Sequence, residues 1–163
     1  MIPWLPSLLT LESVGDDWDK YLEVVYQSFL KDFVSQHAHF RTRHVALGRY
    51  RKTQGKEDTF WHLVSEGKDE ATRTPDLARC ERIRWPRAFV DNERDPILKI
   101  WENNRNNEVR VLLFLEPEDY LVVLVDRGAT FVLLTAYVVT RSHQRAKLLK
   151  EHADYIKKQG SPS

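Results

Sequence analysis

Apolar side chains recur every three or four residues from Trp18 to Phe33, a spacing that places them along one side of a helix. Asp16 and Asp17 come directly before them, and carboxylates are favoured at a helix N-terminus because they interact with its unpaired amide groups and its dipole. The pattern predicts a first helix that ends near Gln36.

The pattern then changes to that of a β-hairpin. Val45 and Leu47 alternate with other residues, and residues 54–55 are Gln-Gly, a composition typical of turns. Residues 59–64 are rich in β-branched and aromatic side chains, which favour strands. We expect a strand there, with His62 held on one of its faces by rigid neighbours.

Two short helices are expected next. Thr74 is a candidate N-cap, and the proline after it falls in the first helical turn, where its missing amide costs no hydrogen bond. This predicts a helix over 75–83, and the Trp-Pro step at 85–86 would end it because the residue before a proline disfavours helical geometry. An Asp-Pro pair repeats the start signal and predicts a second short helix over 96–103.

Three apolar runs follow in close succession, at 109–115, 120–125 and 131–139. The segments that connect them are too short for a parallel crossover, so we expect the three strands to form an antiparallel meander. A final helix over 142–158 has apolar residues near one side and Gly160 as a candidate C-cap.

Together these elements predict an α+β fold in a single domain, residues 1–160. A helical segment, residues 1–40, precedes a core that contains the sheet, residues 45–160. We expect a mainly antiparallel sheet of about five strands, two short inserted helices and a C-terminal helix.

The composition excludes disordered and membrane-spanning proteins. Hydrophobic residues make up 42% and charged residues 30% of the 163 residues, and every apolar run falls short of the ~18–20 residues of a spanning helix. The single cysteine, Cys80, cannot form an internal disulfide, which indicates a reducing, cytoplasmic compartment. Its helical spacing to Leu77 and Ile83 indicates packing rather than nucleophilic chemistry. The apolar N-terminus lacks a basic start and a cleavage site, so we expect it to be part of the fold.

Charge is divided unevenly along the chain, although the net charge is only +1. Residues 41–87 contain 12 Lys and Arg against 7 Asp and Glu, a net charge of +5, whereas the rest contains 13 against 17, a net charge of −4. A basic middle can attract polyanions locally, because phosphate binding depends on nearby cations. An ordinary solvated surface would have the same composition.

Motifs for nucleotide hydrolysis, nicotinamide binding, paired-histidine metal sites and serine hydrolases are missing from the sequence. His37, His39 and His44 cluster before the first predicted strand, but no carboxylate or cysteine accompanies them at ligand spacing. We therefore expect neither a metal nor a cofactor.

Three weak signals for chemistry remain. His62 would be a general acid or base at neutral pH if a rigid strand holds it, although a histidine judged alone is more often structural. Thr135 and Tyr137 lie two residues apart on an apolar strand and therefore share one face of the sheet, where they serve a site or reach solvent. Five arginines form the third signal, and they bind phosphate or make surface ion pairs: Arg73, Arg79, Arg82, Arg84 and Arg87.

Histidine, arginine, threonine and tyrosine on a small antiparallel sheet are the groups that cleave RNA through its own 2′-hydroxyl. That reaction needs a base for the 2′ proton, an acid for the 5′ oxygen and cations for the charge on phosphorus. It needs no cofactor.

The order of these groups resembles the barnase/EndoU/colicin/RelE-like nuclease superfamily, in particular its phage and mobile-element members. The segments that carry the resemblance are Thr-Phe-Trp-His-Leu, then Arg-Thr-Pro-Asp-Leu with Arg-Cys-Glu-Arg-Ile-Arg-Trp, then Leu-Thr-Ala-Tyr before a basic helix, at 59–63, 73–77, 79–85 and 134–137. The resemblance covers roughly residues 57–158 and implies an α+β fold with metal-independent RNA cleavage.

Carried over to this sequence, the resemblance implies His62 as the acid or base and Arg84 as the stabiliser of phosphate charge. Thr135 and Tyr137 would bind the scissile phosphate or assist proton transfer. Arg73 and Arg82 would be secondary cations that bind the substrate. The implied partners are RNA and, for a toxin, a cognate antitoxin or immunity protein. A noncatalytic protein-binding or phage structural module is the alternative, since five tryptophans also suit a partner surface.

Overall fold

A six-stranded mixed sheet forms the centre of the protein, in a computed structural model that describes residues 1–48, 51–66 and 74–160. The ten strands of the described chain are Ala38–Phe40 (β1), Arg43–Ala46 (β2), Lys52–Thr53 (β3), Lys56–Glu57 (β4), Ser65–Glu66 (β5), Thr74–Pro75 (β6), Leu98–Arg105 (β7), Glu108–Leu115 (β8), Tyr120–Asp126 (β9) and Phe131–Val138 (β10). The main sheet has the order β1-β2-β10-β9-β8-β7, and β3-β4 and β5-β6 are separate short ladders. Only the β2–β10 pair is parallel within the main sheet.

Five α-helices accompany the strands in the described residues: Trp18–Leu30 (α1), Asp58–Val64 (α2), Leu77–Glu81 (α3), Trp85–Asp91 (α4) and Ser142–Gly160 (α5). Short 3-10 helices cover Leu11–Val14 and Glu116–Glu118, and a π-helical turn, Lys31–Ser35, extends α1. This is the α+β architecture that the hydrophobic pattern predicts, with six strands in the main sheet instead of about five.

The predicted meander is confirmed, because β8, β9 and β10 pair antiparallel in sequence order. A further antiparallel strand, β7, joins it through a tight turn at Asn106 and Asn107. Both asparagines have positive φ, 54° and 61°, the conformation that a two-residue hairpin requires and that asparagine tolerates better than most residues.

The two faces of the sheet carry different helices. On one face, α1, α2 and α4 cover the larger core, in which Phe29, Phe60 and Phe131 are fully buried. Helix α5 covers a smaller core on the other face, which contains Trp101 and Leu148. The predicted first and last helices are therefore confirmed, and the buried residues of each belong to one of these two cores.

The strand predicted over 59–64 is wrong, because these residues form helix α2. Thr59, Phe60, Leu63 and Val64 are buried, and this spacing is that of one helical side packed on the core. A short apolar run fits either element, and burial against α1 overrides the strand preference of its side chains. His62 therefore lies on a helix and is exposed, not on a strand face.

The structure also differs from the predictions made at Pro86 and Pro96. Trp85-Pro86 begins helix α4 rather than ending a helix, since proline in a first turn loses no hydrogen bond. The helix predicted over 96–103 is wrong, because strand β7 occupies this segment and pairs with β8 along its full length. The N-cap of α3 is Asp76, whose carboxylate accepts from the Ala78 amide at 3.0 Å, rather than Thr74.

The N-terminal segment is part of the fold, as expected. The Trp4 indole donates to Asp95 Oδ2 at 2.8 Å and contacts the ring of Phe89 edge-on, and Trp85 Nε1 donates to the Pro6 carbonyl at 2.9 Å. Cys80 is buried, as its spacing predicts. Among the described residues, no helix combines the length and the apolar character needed to cross a membrane.

Candidate functional site

Thr135 and Tyr137 share the sheet face that α5 covers, as their two-residue spacing predicts. Thr135 pairs with Val123 and Tyr137 pairs with Leu121, and both partners belong to the core beneath α5. A bulge at Leu134 interrupts the β10–β9 register just before Thr135. Bulges redirect side chains and are frequent beside functional sites.

A cavity of about 300 Å³, the α5 cavity, opens between this face and the helix. Thr135 and Tyr137 lie in its wall, together with three cationic side chains, Arg105, Arg110 and Lys147. Its one acidic residue among those described is Glu151, so the lining carries an excess of positive charge. An anion with several acceptor oxygens fits this composition.

Hydrogen bonds hold some polar groups of the α5 cavity in place, while two buried polar atoms there lack a hydrogen-bond partner among the described residues. Glu151 Oε1 accepts from Trp101 Nε1 and from Asn103 Nδ2, each at 2.7 Å. Asn103 Oδ1 and Arg110 Nε are buried without a hydrogen-bond partner among the described residues. Buried polar atoms normally have partners, so this acceptor and this donor are available to a ligand. Arg110 also lies 3.8 Å from Glu108, a weak ion pair.

A second cavity, of about 400 Å³ and called the α3 cavity, lies on the other side of Tyr137. Arg79, Arg82 and Arg141 line it, against the carboxylates of Glu66 and Asp76. The Arg79 guanidinium lies over the Tyr137 ring, 5.4 Å from its centroid, and its Nη1 donates to the carbonyls of His62 at 3.2 Å and Ser65 at 2.9 Å. Arg79 is therefore fixed beside the phenol.

Tyr137 and Gln144 line both cavities and join them into one feature, the Tyr137 groove. Gln144 Nε2 donates to the Tyr137 hydroxyl at 3.1 Å. The phenol oxygen therefore accepts one hydrogen bond. Its O–H hydrogen can be donated to another acceptor, and no described residue accepts that hydrogen. A phosphate oxygen in the groove would complete this pair of bonds.

The structure brings some of the predicted site residues together and places others apart. Tyr137 lies in both cavities, with Thr135 in the α5 cavity and Arg82 in the α3 cavity, where Arg82 Nη1 donates to the Ala78 carbonyl at 2.9 Å. His62 lines neither cavity; its backbone carbonyl accepts from Arg79, a residue of the α3 cavity.

Arg84 lines neither cavity of the groove. Its Nη2 donates to the Ser7 carbonyl at 2.7 Å, so it holds the N-terminal segment against the turn before α4. Arg73 lies outside the described residues.

Sequence reasoning missed four cations of the groove: Arg105, Arg110, Arg141 and Lys147. The signal for two of them is present, since Arg110 alternates with Leu112 on β8 and Arg105 alternates with Asn103 on β7. Arg105 directly follows the helix wrongly predicted over 96–103, which hides its alternation, whereas Arg110 lies within the strand predicted over 109–115. Arg141 directly precedes α5 and Lys147 lies in its second turn, and only the packing of α5 shows which cavities they line.

The three clustered histidines lie on or directly before the paired strands β1 and β2. His39 and His44 face each other across β1 and β2, and the His37 and His44 rings lie 5.1 Å apart. No group of three or more His, Cys, Asp or Glu among the described residues is placed to hold a metal ion. Burial, and then the charges of His37 and His39, lower the pKa of His44.

Comparison with known proteins adds no relative to this picture. No family model matches the sequence, and neither the curated proteins nor the solved structures contain a significant match to it.

Proposed function

We propose that the protein is a metal-independent endoribonuclease that cleaves RNA in the Tyr137 groove. One observation carries the proposal: a phenol with an available hydrogen lies between two cavities lined by arginine and lysine. Such a place suits a phosphodiester, with cations on both sides for the phosphates that flank it.

The reaction begins when a base takes the proton of a ribose 2′-hydroxyl, and the 2′ oxygen then attacks the adjacent phosphorus. The bond from phosphorus to the 5′ oxygen breaks, and an acid gives that oxygen a proton. The products are a 2′,3′-cyclic phosphate and a 5′-hydroxyl end. Negative charge grows on the phosphoryl oxygens between these steps, and positioned donors stabilise it.

The groove supplies groups for these roles. Tyr137 donates to a phosphoryl oxygen or to the leaving 5′ oxygen, and Thr135 on the same face donates a second hydrogen bond. Arg79 lies over the phenol and is proposed to balance the charge on phosphorus. Arg110 lies two strands away from Tyr137, in register with Val125 and Val132, and is proposed to bind a neighbouring phosphate. His62 lines neither cavity, but its carbonyl binds Arg79 beside the phenol, and its exposed imidazole is the group proposed to accept the 2′ proton.

Arg84 has no part in this assignment, because it lines neither cavity of the groove and its guanidinium binds the Ser7 carbonyl in the N-terminal segment. The cation that balances phosphate charge is instead proposed to be Arg79, which lies over the Tyr137 ring. A role as a toxin or as a phage or mobile-element effector, with a cognate inhibitor protein as partner, belongs to the same proposal.

The test is incubation of the purified protein with RNA in EDTA, with Tyr137→Phe as the variant and Tyr155→Phe as its control. Tyr155 packs against the same core beneath α5 and lines neither cavity of the groove. We expect the wild type and Tyr155→Phe to cleave, and Tyr137→Phe to lose about 100-fold or more in rate, the usual effect of removing an acid.

A comparison of His62→Ala with His39→Ala extends the test, since His39 is exposed and lines another cavity. Loss of cleavage only in His62→Ala supports its role. Intact RNA with the wild type at high concentration would overturn the proposal. Steep salt-dependent RNA binding without products would instead indicate a binding protein.

A further inference from the structure

A separate pocket of about 350 Å³ lies between the start of α1, the β3–β4 turn and α2. We call it the tryptophan pocket, because Trp18 and Trp61 both line it. It shares no lining residue with either cavity of the Tyr137 groove. Nothing in the proposed cleavage reaction uses it.

The aromatic part of the pocket is fixed in place. Trp61 Nε1 donates to the Thr53 carbonyl at 2.9 Å, which sets the plane of the indole, and the Thr53 hydroxyl donates to Asp58 Oδ1 at 3.3 Å. Trp18 is 37% exposed although it begins a helix whose other aromatic residues are buried. An indole with an accessible face attracts a cation through its ring electrons.

The charged side chains that line the tryptophan pocket are all acidic. Asp19 and Asp58 lie in its wall, and no Lys or Arg among the described residues does. Neither carboxylate forms an ion pair with a described cation. This composition repels phosphates and favours a ligand that is itself positively charged.

A buried hydroxyl provides an independent sign of a ligand. Ser65 is only 4% exposed, lines the pocket, and has no hydrogen-bond partner for its Oγ among the described residues. Its carbonyl accepts from Arg79, so the residue is held firmly while its hydroxyl is left unsatisfied. Leaving a buried hydroxyl unpaired is costly, and a ligand donor would remove the cost.

We propose that the tryptophan pocket binds a primary ammonium group on an aliphatic stem. The stem packs against the indoles, the ammonium lies over a ring face and between Asp19 and Asp58, and one of its hydrogens is donated to Ser65 Oγ. Two sources carry this group: a free polyamine, and a lysine side chain of a partner protein. The proposal stands without the nuclease activity, because it concerns different residues.

The test is a titration of the whole protein with spermidine and with Nα-acetyl-lysine methylamide, followed by tryptophan fluorescence and by the indole N–H signals in NMR spectra. The neutral probe Nα-acetyl-norleucine methylamide has a similar stem and no charge. We expect saturable binding of the charged probes that shifts the Trp18 and Trp61 signals, and none of the neutral probe. Tighter binding of spermidine identifies a polyamine site, and tighter binding of the lysine probe identifies a partner side chain.

Asp58→Asn and Asp19→Asn should each weaken binding about tenfold, within the range measured for cation contacts. Asp19 is exposed, so its replacement leaves the fold intact and keeps the test decisive if Asp58→Asn is unstable. The control is Asp154→Asn, an exposed carboxylate on α5. Equal binding of the neutral probe, or equal affinity of all three variants and the wild type, would overturn the proposal.

Discussion

The contact between α5 and the sheet allows a sharp prediction for Glu151→Ala. Glu151 Oε1 accepts from the indole of Trp101, which is fully buried, and from the amide of Asn103, both at 2.7 Å. Removing the carboxylate leaves the buried indole N–H without an acceptor, which costs about 1.5–2 kcal/mol. The Asn103 amide also loses its acceptor, but it lines the α5 cavity and can bind water there, so the loss of this hydrogen bond adds only about 0.5–1 kcal/mol.

The expected destabilisation is therefore about 2–3 kcal/mol, which for a chain of this length lowers the midpoint of thermal unfolding by roughly 4–12 °C. Circular dichroism during heating measures it. The matched control is Asp154→Ala on the same helix, whose contact with Lys150 is 3.7 Å long and largely exposed, so it should cost less than about 0.5 kcal/mol. Equal midpoints for the two variants would refute the argument that Glu151 anchors α5.

Three further predictions concern titrating groups, and reagent labelling or urea unfolding at several pH values checks them. Burial raises the pKa of the Cys80 thiol to about 12, so a thiol reagent at pH 8 should label it only after unfolding, and rapid labelling of the folded protein would contradict this. Burial raises the pKa of Asp32 from 3.8 to about 6, so the folded state binds the proton more tightly than the unfolded chain does. The free energy of unfolding should therefore fall as the pH rises from about 4 to 6, and Asp32→Asn should remove that fall. The pKa of His44 is lowered below 6.5, so the unfolded chain takes up the proton first as the pH drops. The free energy of unfolding should therefore fall as the pH drops through about 6.5. The same dependence of stability on pH in His44→Gln would contradict this.

Elements whose hydrophobic pattern is compatible with only one structure could be predicted from the sequence. The runs that became β8, β9 and β10 are joined by segments too short for any connection except antiparallel pairing. The stripe of α1 is long enough to fix its period, and Asp17 caps it through a hydrogen bond to the Lys20 amide at 3.2 Å.

Short segments could not be predicted, because their partners decide their structure. Residues 59–64 have strand-forming side chains, yet Phe60 packs its ring 5.0 Å from Tyr26 and 5.5 Å from Phe29, which a helix allows. Strand β7 follows an Asp-Pro pair that resembles a helix start, and its pairing with β8 is a long-range contact that no local signal reports.

In the candidate site, too, local features could be predicted from the sequence, whereas long-range packing could not. Spacing alone places Thr135 and Tyr137 on one face, because alternation along a strand is a local property. Whether an arginine faces that site depends on the packing of other elements, which brings Arg79 over the phenol and directs Arg84 to Ser7. Neighbouring arginines on the chain therefore serve different parts of the protein.

The most direct test of RNA cleavage at the Tyr137 groove is an analysis of the ends that the wild-type protein produces in EDTA. The substrates are an RNA oligonucleotide and the same oligonucleotide with a 2′-deoxyribose at the cleaved position. The 2′-hydroxyl mechanism predicts a 2′,3′-cyclic phosphate and a 5′-hydroxyl from the first substrate and no cleavage at that position in the second. With Tyr137→Phe, both products should form about 100-fold or more slowly. Equal cleavage of both substrates, or products with 5′-phosphate ends, would contradict it.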